Sequence, residues 1–291
     1  MLTFTLAAFA DEADATIAGQ VKALRAAGIR RLEIRGVDGT NISRLSIESA
    51  KRVKRQLDDA GISVWAIGSP SGKMDIRDPF GPHLEEFRHM LALAELFGAK
   101  RFRLFSFFGT QGAIEWEEEV LRRMNGFIEA ARGSGVVLCH ENEKGIYGDS
   151  AARCLRLHQA LPALRAVFDF SNFIQVGQET SSAWAMLKEY VEYIHAKDAM
   201  PDGSVVPAGF GVGNIAEILA DFAAMSAAKN TGGPVISLEP HLTVFDGLKD
   251  LEQDGDISHV GAFVYPDQPA AFAAAAAALK DVLKKIGGNA A

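Results

Sequence analysis

The chain has 291 residues, 48% of them hydrophobic, enough to bury a large core as one large domain or two ordinary ones. Its formal net charge is −7, and the longest basic run, "KRVKR" at 51–55, falls in a helical pattern as a solvated face; nucleic acid is therefore disfavoured as the principal partner, because phosphate contacts supply most of that affinity. Two cysteines, Cys139 and Cys154, in so long a chain suit a reducing compartment without a disulfide framework.

The opening "MLTFTLAAFADEA" reads as a first strand at 3–9. A secretory leader needs a basic start, and no Lys or Arg precedes Lys22. No stretch approaches the roughly 20 apolar residues of a membrane span, so a soluble, cytoplasmic protein is expected. Further strands are predicted at 30–35 "RRLEIR", 62–67 "ISVWAI", 101–106 "RFRLFS", 135–142, 166–170 "AVFDF", 191–197 "VEYIHAK" and 234–239 "PVISLE". Between them lie stretches with apolar residues at three- and four-residue spacing, such as "ATIAGQVKALRAAG", "LEEFRHMLALAELFG" and "EEEVLRRMNGFIEAARGSG", which read as helices. Gly28, Gly61, Gly98 and Gly135 stand where C-caps belong. The alanine-rich "DQPAAFAAAAAALKDVLKKIG" is the last helix, explained by helix propensity. Eight strand–helix units with no Pro/Gly/Ser-rich linker predict a (β/α)8 TIM barrel in the α/β class, a single domain over 1–291. A doubly wound open sheet competes, but the even spacing over the whole length favours closure.

In such a barrel the active site lies at the C-terminal ends of the strands. Strand five ends in Glu141, strand six in Asp169, strand seven in His195 and strand eight in Glu239. Any one of these could be satisfied by loop amides or a salt bridge. All four in register on neighbouring strands would repel one another unless a cation sat among them, and mixed O/N ligands suit one divalent metal ion: Mn, Zn, Mg or Co. Alternation places Glu33 and Arg35 on one face of strand two, within reach of the rim as substrate contacts or as a structural ion pair. Lys197 shares the parity of His195, and His241 that of Glu239; His140 and Asn142 turn toward the helices or adjacent strands. Glu143 shares the parity of Glu141 but lies one step further into the loop, as a bystander. Asp149 is expected to cap the helix beginning near Ser150. The loop "VPAGFGVGNIAEIL" after strand seven has glycines suited to a phosphate cradle, or simply to tight turns, before Asn214 as N-cap.

These strand ends resemble the sugar phosphate isomerase/epimerase superfamily, the xylose-isomerase-like TIM barrels (AP endonuclease 2 family) that also include endonuclease IV. The resemblance spans nearly the whole chain and rests on "LEIRGVDGTNI", "FRLFSFF", "LCHENEKGIYGD", "FDFSN", "YIHAKDA", "PAGFGVGNI" and "ISLEPHL". It implies a divalent metal held by Glu141, Asp169, His195 and Glu239. Sugar 3-epimerases of this group typically carry a substrate-binding His where this chain has Asn172, and members with a "PAG-x-G" loop often carry acidic residues where it has Phe210 and Val212, so a different substrate end is expected. The extra histidine ligands of endonuclease IV are missing among the seven histidines, which argues against DNA repair.

The expected activity is that of a metal-dependent isomerase or epimerase in carbohydrate metabolism. It would act on a sugar or sugar phosphate by proton transfer through a cis-enediolate next to a ketose carbonyl. Glu141 and Glu239 would exchange protons from opposite faces, with Lys197 on the developing oxyanion; Glu33, Arg35, His140, Asn172 and His241 are the candidate substrate contacts. The same enolate chemistry permits a lyase or dehydratase acting on a keto-sugar or keto-inositol, and an inactive metal-stabilised sugar-binding barrel is a third reading. The expected partner is a small carbohydrate, with neither nucleic acid nor membrane; the oligomeric state, homo-oligomer included, is left open.

Overall fold

Runs such as "VLCHE" and "RAVFD" are buried on both faces after their first residue, the pattern of strands covered by helices outside and by side chains inside. The computed structural model describes residues 2–229, 233–243 and 263–290. Among them, eight parallel strands form the barrel wall: β1 Leu2–Ala8, β2 Arg31–Ile34, β3 Ser63–Gly68, β4 Arg101–Leu104, β5 Val137–Glu141, β6 Arg165–Asp169, β7 Val191–Ala196 and β8 Val235–Leu238. Each pairs with the next, and β8 closes on β1 with Thr5 opposite Val235 and Ala8 opposite Leu238. The closed (β/α)8 barrel expected from the even spacing is the fold. The register sets Asp169 on β6 directly opposite His195 on β7, and Ser237 on β8 opposite the same His195. Strand alternation then turns these chain ends into the barrel mouth together.

The helices of the outer layer among the described residues are α1 Ile17–Ala26, α2 Ile47–Ala60, α3 Phe80–Phe97, α4 Glu117–Ala131, α5 Ala151–Ala160, α6 Phe170–Gln175, α7 Thr180–Leu187, α8 Ile215–Lys229 and α9 Gln268–Lys285. Ser46 caps α2 by accepting from Ser49 N, and Gly61 and Gly98 end α2 and α3 in left-handed backbone, as C-cap glycines do. Asp267 starts α9 by accepting from Ala270 N. After α9, Gly288–Ala290 pairs with the start of β1.

Three local expectations change. Gly135 does not cap α4, which ends at Ala131 with Arg132 at the C-cap position. Strand β4 stops at Leu104 rather than reaching Ser106, because Phe105 N and Phe107 N donate to the carbonyls of Ser71 (2.8 Å) and Gly72 (3.0 Å) in the loop after β3. That loop must pass very close: a Cβ on Gly72, which has φ +87°, would lie 2.0 Å from Phe105 O, so only glycine fits. Asp149 does not cap α5; its carboxylate pairs with Arg153, and Ser150 stands at the N-cap position without a side-chain bond.

Behind β5 and β6, His140 and His158 lie buried with ring centroids 6.0 Å apart, and His158 stacks on Tyr190. Burial holds His158 down to about 4 and His140 down to about 3. Both groups fold neutral, whereas the unfolded chain takes protons near the ordinary 6.5. Their contribution is therefore present above about pH 6.5 and is lost as pH falls toward 4. For His158 alone the loss reaches about 3 kcal/mol. Urea unfolding at pH 7 and pH 5 should show this fall, and His158→Leu should flatten it; an equal slope in the variant would contradict the assignment.

Candidate metal centre

Glu141 closes β5 and Asp169 closes β6, His195 lies one residue inside the end of β7, and Glu239 follows β8 directly. Strand alternation aims all four inward, and each is at most 2% exposed. One ligand atom from each, all mutually within 4.8 Å, converges at the mouth of the barrel. His195 Nδ1 lies 2.9 Å from Glu141 Oε1, 3.4 Å from Glu239 Oε2 and 4.0 Å from Asp169 Oδ2. Glu141 Oε2 and Asp169 Oδ2 are buried and accept no hydrogen bond, although each has an ion-pair neighbour: Arg103 Nη1 at 3.2 Å and Lys197 Nζ at 3.2 Å.

Around this core lies a dense buried charge array. Lys197 Nζ donates to Glu239 Oε2 at 3.0 Å. Arg35 reaches Asp11 (2.9 Å), Glu12 (3.1 Å) and Glu239 (3.0 Å) at once. Arg103 sits 3.7 Å from Glu239 as well as beside Glu141. The Phe9 ring lies under both guanidinium groups, at 4.4 Å and 5.0 Å. Among the described residues, the buried carboxylates of Asp11, Glu12, Glu33, Glu141, Asp169 and Glu239 face only three permanent cations, Arg35, Arg103 and Lys197. With all six ionised an imbalance would persist even with His195 protonated; protons held on Glu12 and Asp169 relieve part of it, and buried carboxylates in excess are costly without a compensating ion. A divalent cation answers the imbalance, and the three-oxygen, one-nitrogen donor set suits one.

The local fields differ from group to group. Burial would raise the Glu141 carboxyl, but His195 and Arg103 outweigh it and hold it below the ordinary glutamate value. Burial is likewise outweighed at Glu239, chiefly by Lys197, and the group is held well below the ordinary value. At Asp169 burial prevails over Lys197 and pushes the carboxyl up to about 7. Glu12 rises to about 8 for the same reason, against the pull of Arg35. Glu141 and Glu239 are thus ionised bases, while Asp169 gains most from a cation beside it.

A family model described as xylose isomerase-like TIM barrel matches residues 21–254. The chain belongs to that family. No curated protein matches the sequence. Among solved structures, one titled as the probable 3-DHS dehydratase AsbF from Bacillus anthracis superposes with a TM-score of 0.67 at 15% identity, covering 96% of this chain and 98% of its own. An L-ribulose 3-epimerase gives 0.69 at 17% identity, with 99% and 96% covered. An IOLI protein with a binding zinc atom gives 0.71 at 16% identity, with 97% and 99% covered. At these identities the likeness is one of fold.

In this xylose isomerase-like barrel, the residues expected to meet substrate are distributed unevenly. Lys197 stands in the mouth between Asp169 and Glu239. His241, in left-handed backbone at φ +46°, donates its N–H to Glu12 Oε2 (2.6 Å) and holds Nε2 3.5 Å from Glu239 Oε1. Arg35 is locked in its three carboxylate pairs, the ion-pair alternative weighed for it. Glu33 does not reach the rim: it is fully buried, with one oxygen accepting from Tyr193 Oη (2.7 Å) and the other 3.2 Å from His195 Nε2. His140 turns outward, its Nε2 2.9 Å from Ser106 Oγ. Asn172 donates through its amide to Asn142 O (2.9 Å) and at 3.5 Å to Glu141 Oε1, so it steadies a candidate ligand. Glu143 pairs with Lys73 at 3.0 Å, away from the convergent four.

The glycine loop after β7 is not an open anion cradle. The amides of Gly209 (2.9 Å), Gly211 (3.0 Å) and Gly213 (3.0 Å) all donate to the carboxylate of Asp198, the residue after Lys197. A Cβ on Gly211 would lie 2.2 Å from Ala199 O, so this wrapping requires glycine there. The chain thereby supplies its own anion to the donors expected for phosphate, while Phe210 and Val212 of the same loop stay exposed. Asp11, Glu12 and Arg103 are the site residues that strand-end reasoning missed. The signal for the first two was "ADE" one residue beyond β1; for Arg103 it was a charge at an inward position of a short strand.

Proposed function

We propose that this chain is a divalent-metal-dependent isomerase or epimerase of a sugar or sugar-like ketose. The observation that carries the reading is the convergence of Glu141, Asp169, His195 and Glu239, with two buried carboxylate oxygens that no hydrogen bond satisfies. The bound cation supplies Lewis-acid polarisation of a carbonyl, which acidifies the neighbouring C–H. Glu141 and Glu239 arrive from β5 and β8, strands not adjacent in the wall, and both are held ionised. One, ionised, removes the proton from the carbon beside the carbonyl; the other, having first taken a proton from solvent, delivers it from the far side, which inverts that centre. Return to the neighbouring carbon instead interconverts aldose and ketose. Lys197, with its ammonium fixed by Asp169 and Glu239, donates to the oxygen on which charge develops. Arg103, buried beside both glutamates, keeps the bases apart from one another's charge.

A panel of free ketoses, ketose phosphates and keto-inositols in deuterated water with added Mn²⁺ tests this. Deuterium at the carbon beside the carbonyl, with product mass otherwise unchanged, is the expected result. Loss of water or of another group would assign a lyase instead, with Lys197 as the proposed proton donor to the leaving oxygen. Bound sugar with no deuterium uptake by any substrate would sink both.

A further inference from the structure

We propose that Glu33 and Tyr193 are positioning residues that set the tautomer of His195, so that this imidazole offers Nδ1, and not Nε2, to a cation. The inference rests on the metal-centre reading of the four convergent residues and adds to it two groups that the strand ends do not disclose.

The geometry is closed on every side. Glu33, Tyr193 and His195 are all 0% exposed. The edge contacts of Phe9 (ring centroids 5.2 Å apart) and Tyr193 (5.4 Å) clamp the imidazole. Its two nitrogens face different partners: Nδ1 looks to Glu141, Glu239 and Asp169, while Nε2, among the described residues, meets Glu33 Oε2 at 3.2 Å. Both nitrogens face carboxylates, Nδ1 at 2.9 Å from Glu141 Oε1; a cation held among the four ligands would take the Nδ1 lone pair, and the ring's hydrogen then stays on Nε2, where Glu33 Oε2 accepts it. Tyr193 Oη completes the device: its hydroxyl donates to Glu33 Oε1 at 2.7 Å and holds the carboxylate plane in place. A carboxylate behind a ligating histidine commonly fixes ring and tautomer in this way.

The arrangement makes an unusual prediction for Glu33→Gln. The Tyr193 hydroxyl holds the glutamine carbonyl, which turns the amide NH₂ toward His195 Nε2. The imidazole must then accept at Nε2 and carry its hydrogen on Nδ1, pointing at the metal position. The opposite amide orientation would leave the Tyr193 hydroxyl hydrogen buried without an acceptor. Removing that hydroxyl in E33Q/Y193F frees the glutamine to turn and restore the tautomer.

The test is calorimetric titration of the full chain with Zn²⁺ in wild type, E33Q, Y193F and E33Q/Y193F, together with imidazole ¹⁵N NMR of the zinc-loaded proteins. We expect E33Q to bind roughly 10–100-fold more weakly, the double variant to recover to near the Y193F value, and wild type to show Nδ1 coordinated with Nε2 protonated. Equal affinity of E33Q and wild type, a double variant weaker than E33Q, or Nε2 coordination in wild type each overturns the proposal. The wild-type spectrum decides even if E33Q fails to fold. Wild type that binds no Zn²⁺ at all overturns instead the metal-centre reading on which the proposal stands.

Discussion

Asp169→Asn is expected to abolish stoichiometric divalent-metal binding and activity together while leaving the fold intact. The substitution keeps side-chain shape, and the Asn carbonyl can still accept from Asn172 N, as Asp169 Oδ1 does at 2.8 Å. What changes is the second oxygen. Asp169 Oδ2 accepts no hydrogen bond, lies 4.0 Å from His195 Nδ1 and contributes one of the four convergent ligand atoms. An amide there turns two N–H donors toward the cation position and toward the Lys197 ammonium 3.2 Å away. The affinity loss should exceed the roughly 10–100-fold that follows from altering residues behind a ligand. Elemental analysis of the purified variant, alongside an assay on the substrate found in the ketose panel, decides the matter. Retention of one equivalent of metal with full activity would remove the four-ligand centre from consideration.

Arg35→Met should destabilise the protein by about 3–5 kcal/mol, the penalty for removing one partner of a buried ion pair. Arg35 is 2% exposed and is the shared counter-ion of Asp11, Glu12 and Glu239. Methionine preserves much of the packing on Phe9, so the loss is electrostatic. Its pH dependence follows from Glu12, whose carboxyl is already pushed up to about 8 by burial. A carboxyl raised in the folded state binds protons there more readily than in the unfolded chain, so folding gains stability as pH falls through the raised value. Arg35 pulls that value down, so in R35M the Glu12 carboxyl rises further and holds its proton at a pH where the wild type has lost it; the deficit should therefore shrink between pH 8 and pH 6, and Glu12→Gln in the same background should restore part of it at pH 8. Urea unfolding at the two pH values measures both effects. A deficit below about 1 kcal/mol, the range of exposed pairs, would mean that the array is solvated and would return Arg35 to the substrate-contact role read from strand parity.

The barrel was legible because its cause is local. Apolar runs of strand length alternate with 3.6-period helices, and a parallel sheet with short connections has few ways to bury both faces. The strand ends were legible for the same reason: Glu141 and Asp169 stand at the last positions of β5 and β6 and His195 one residue inside the end of β7, where alternation aims them inward whatever surrounds them. Strand β4 was shortened by hydrogen bonds from a loop roughly 30 residues away in sequence, which no local pattern records.

By itself, then, the sequence determined which residues converge at the mouth, since period and register are properties of each strand alone. Only the tertiary structure decided what each polar group faces. Glu33, of the right parity for the rim, lies instead beneath His195, because Tyr193 from β7 and the imidazole take its two oxygens across the barrel. The glycine loop folds its amides onto Asp198 and not toward solvent. Arg35 bridges Glu12, just beyond β1, to Glu239, just beyond β8, strands that meet only when the barrel closes. A buried charge is defined by its partner, and here the partners come from opposite ends of the chain.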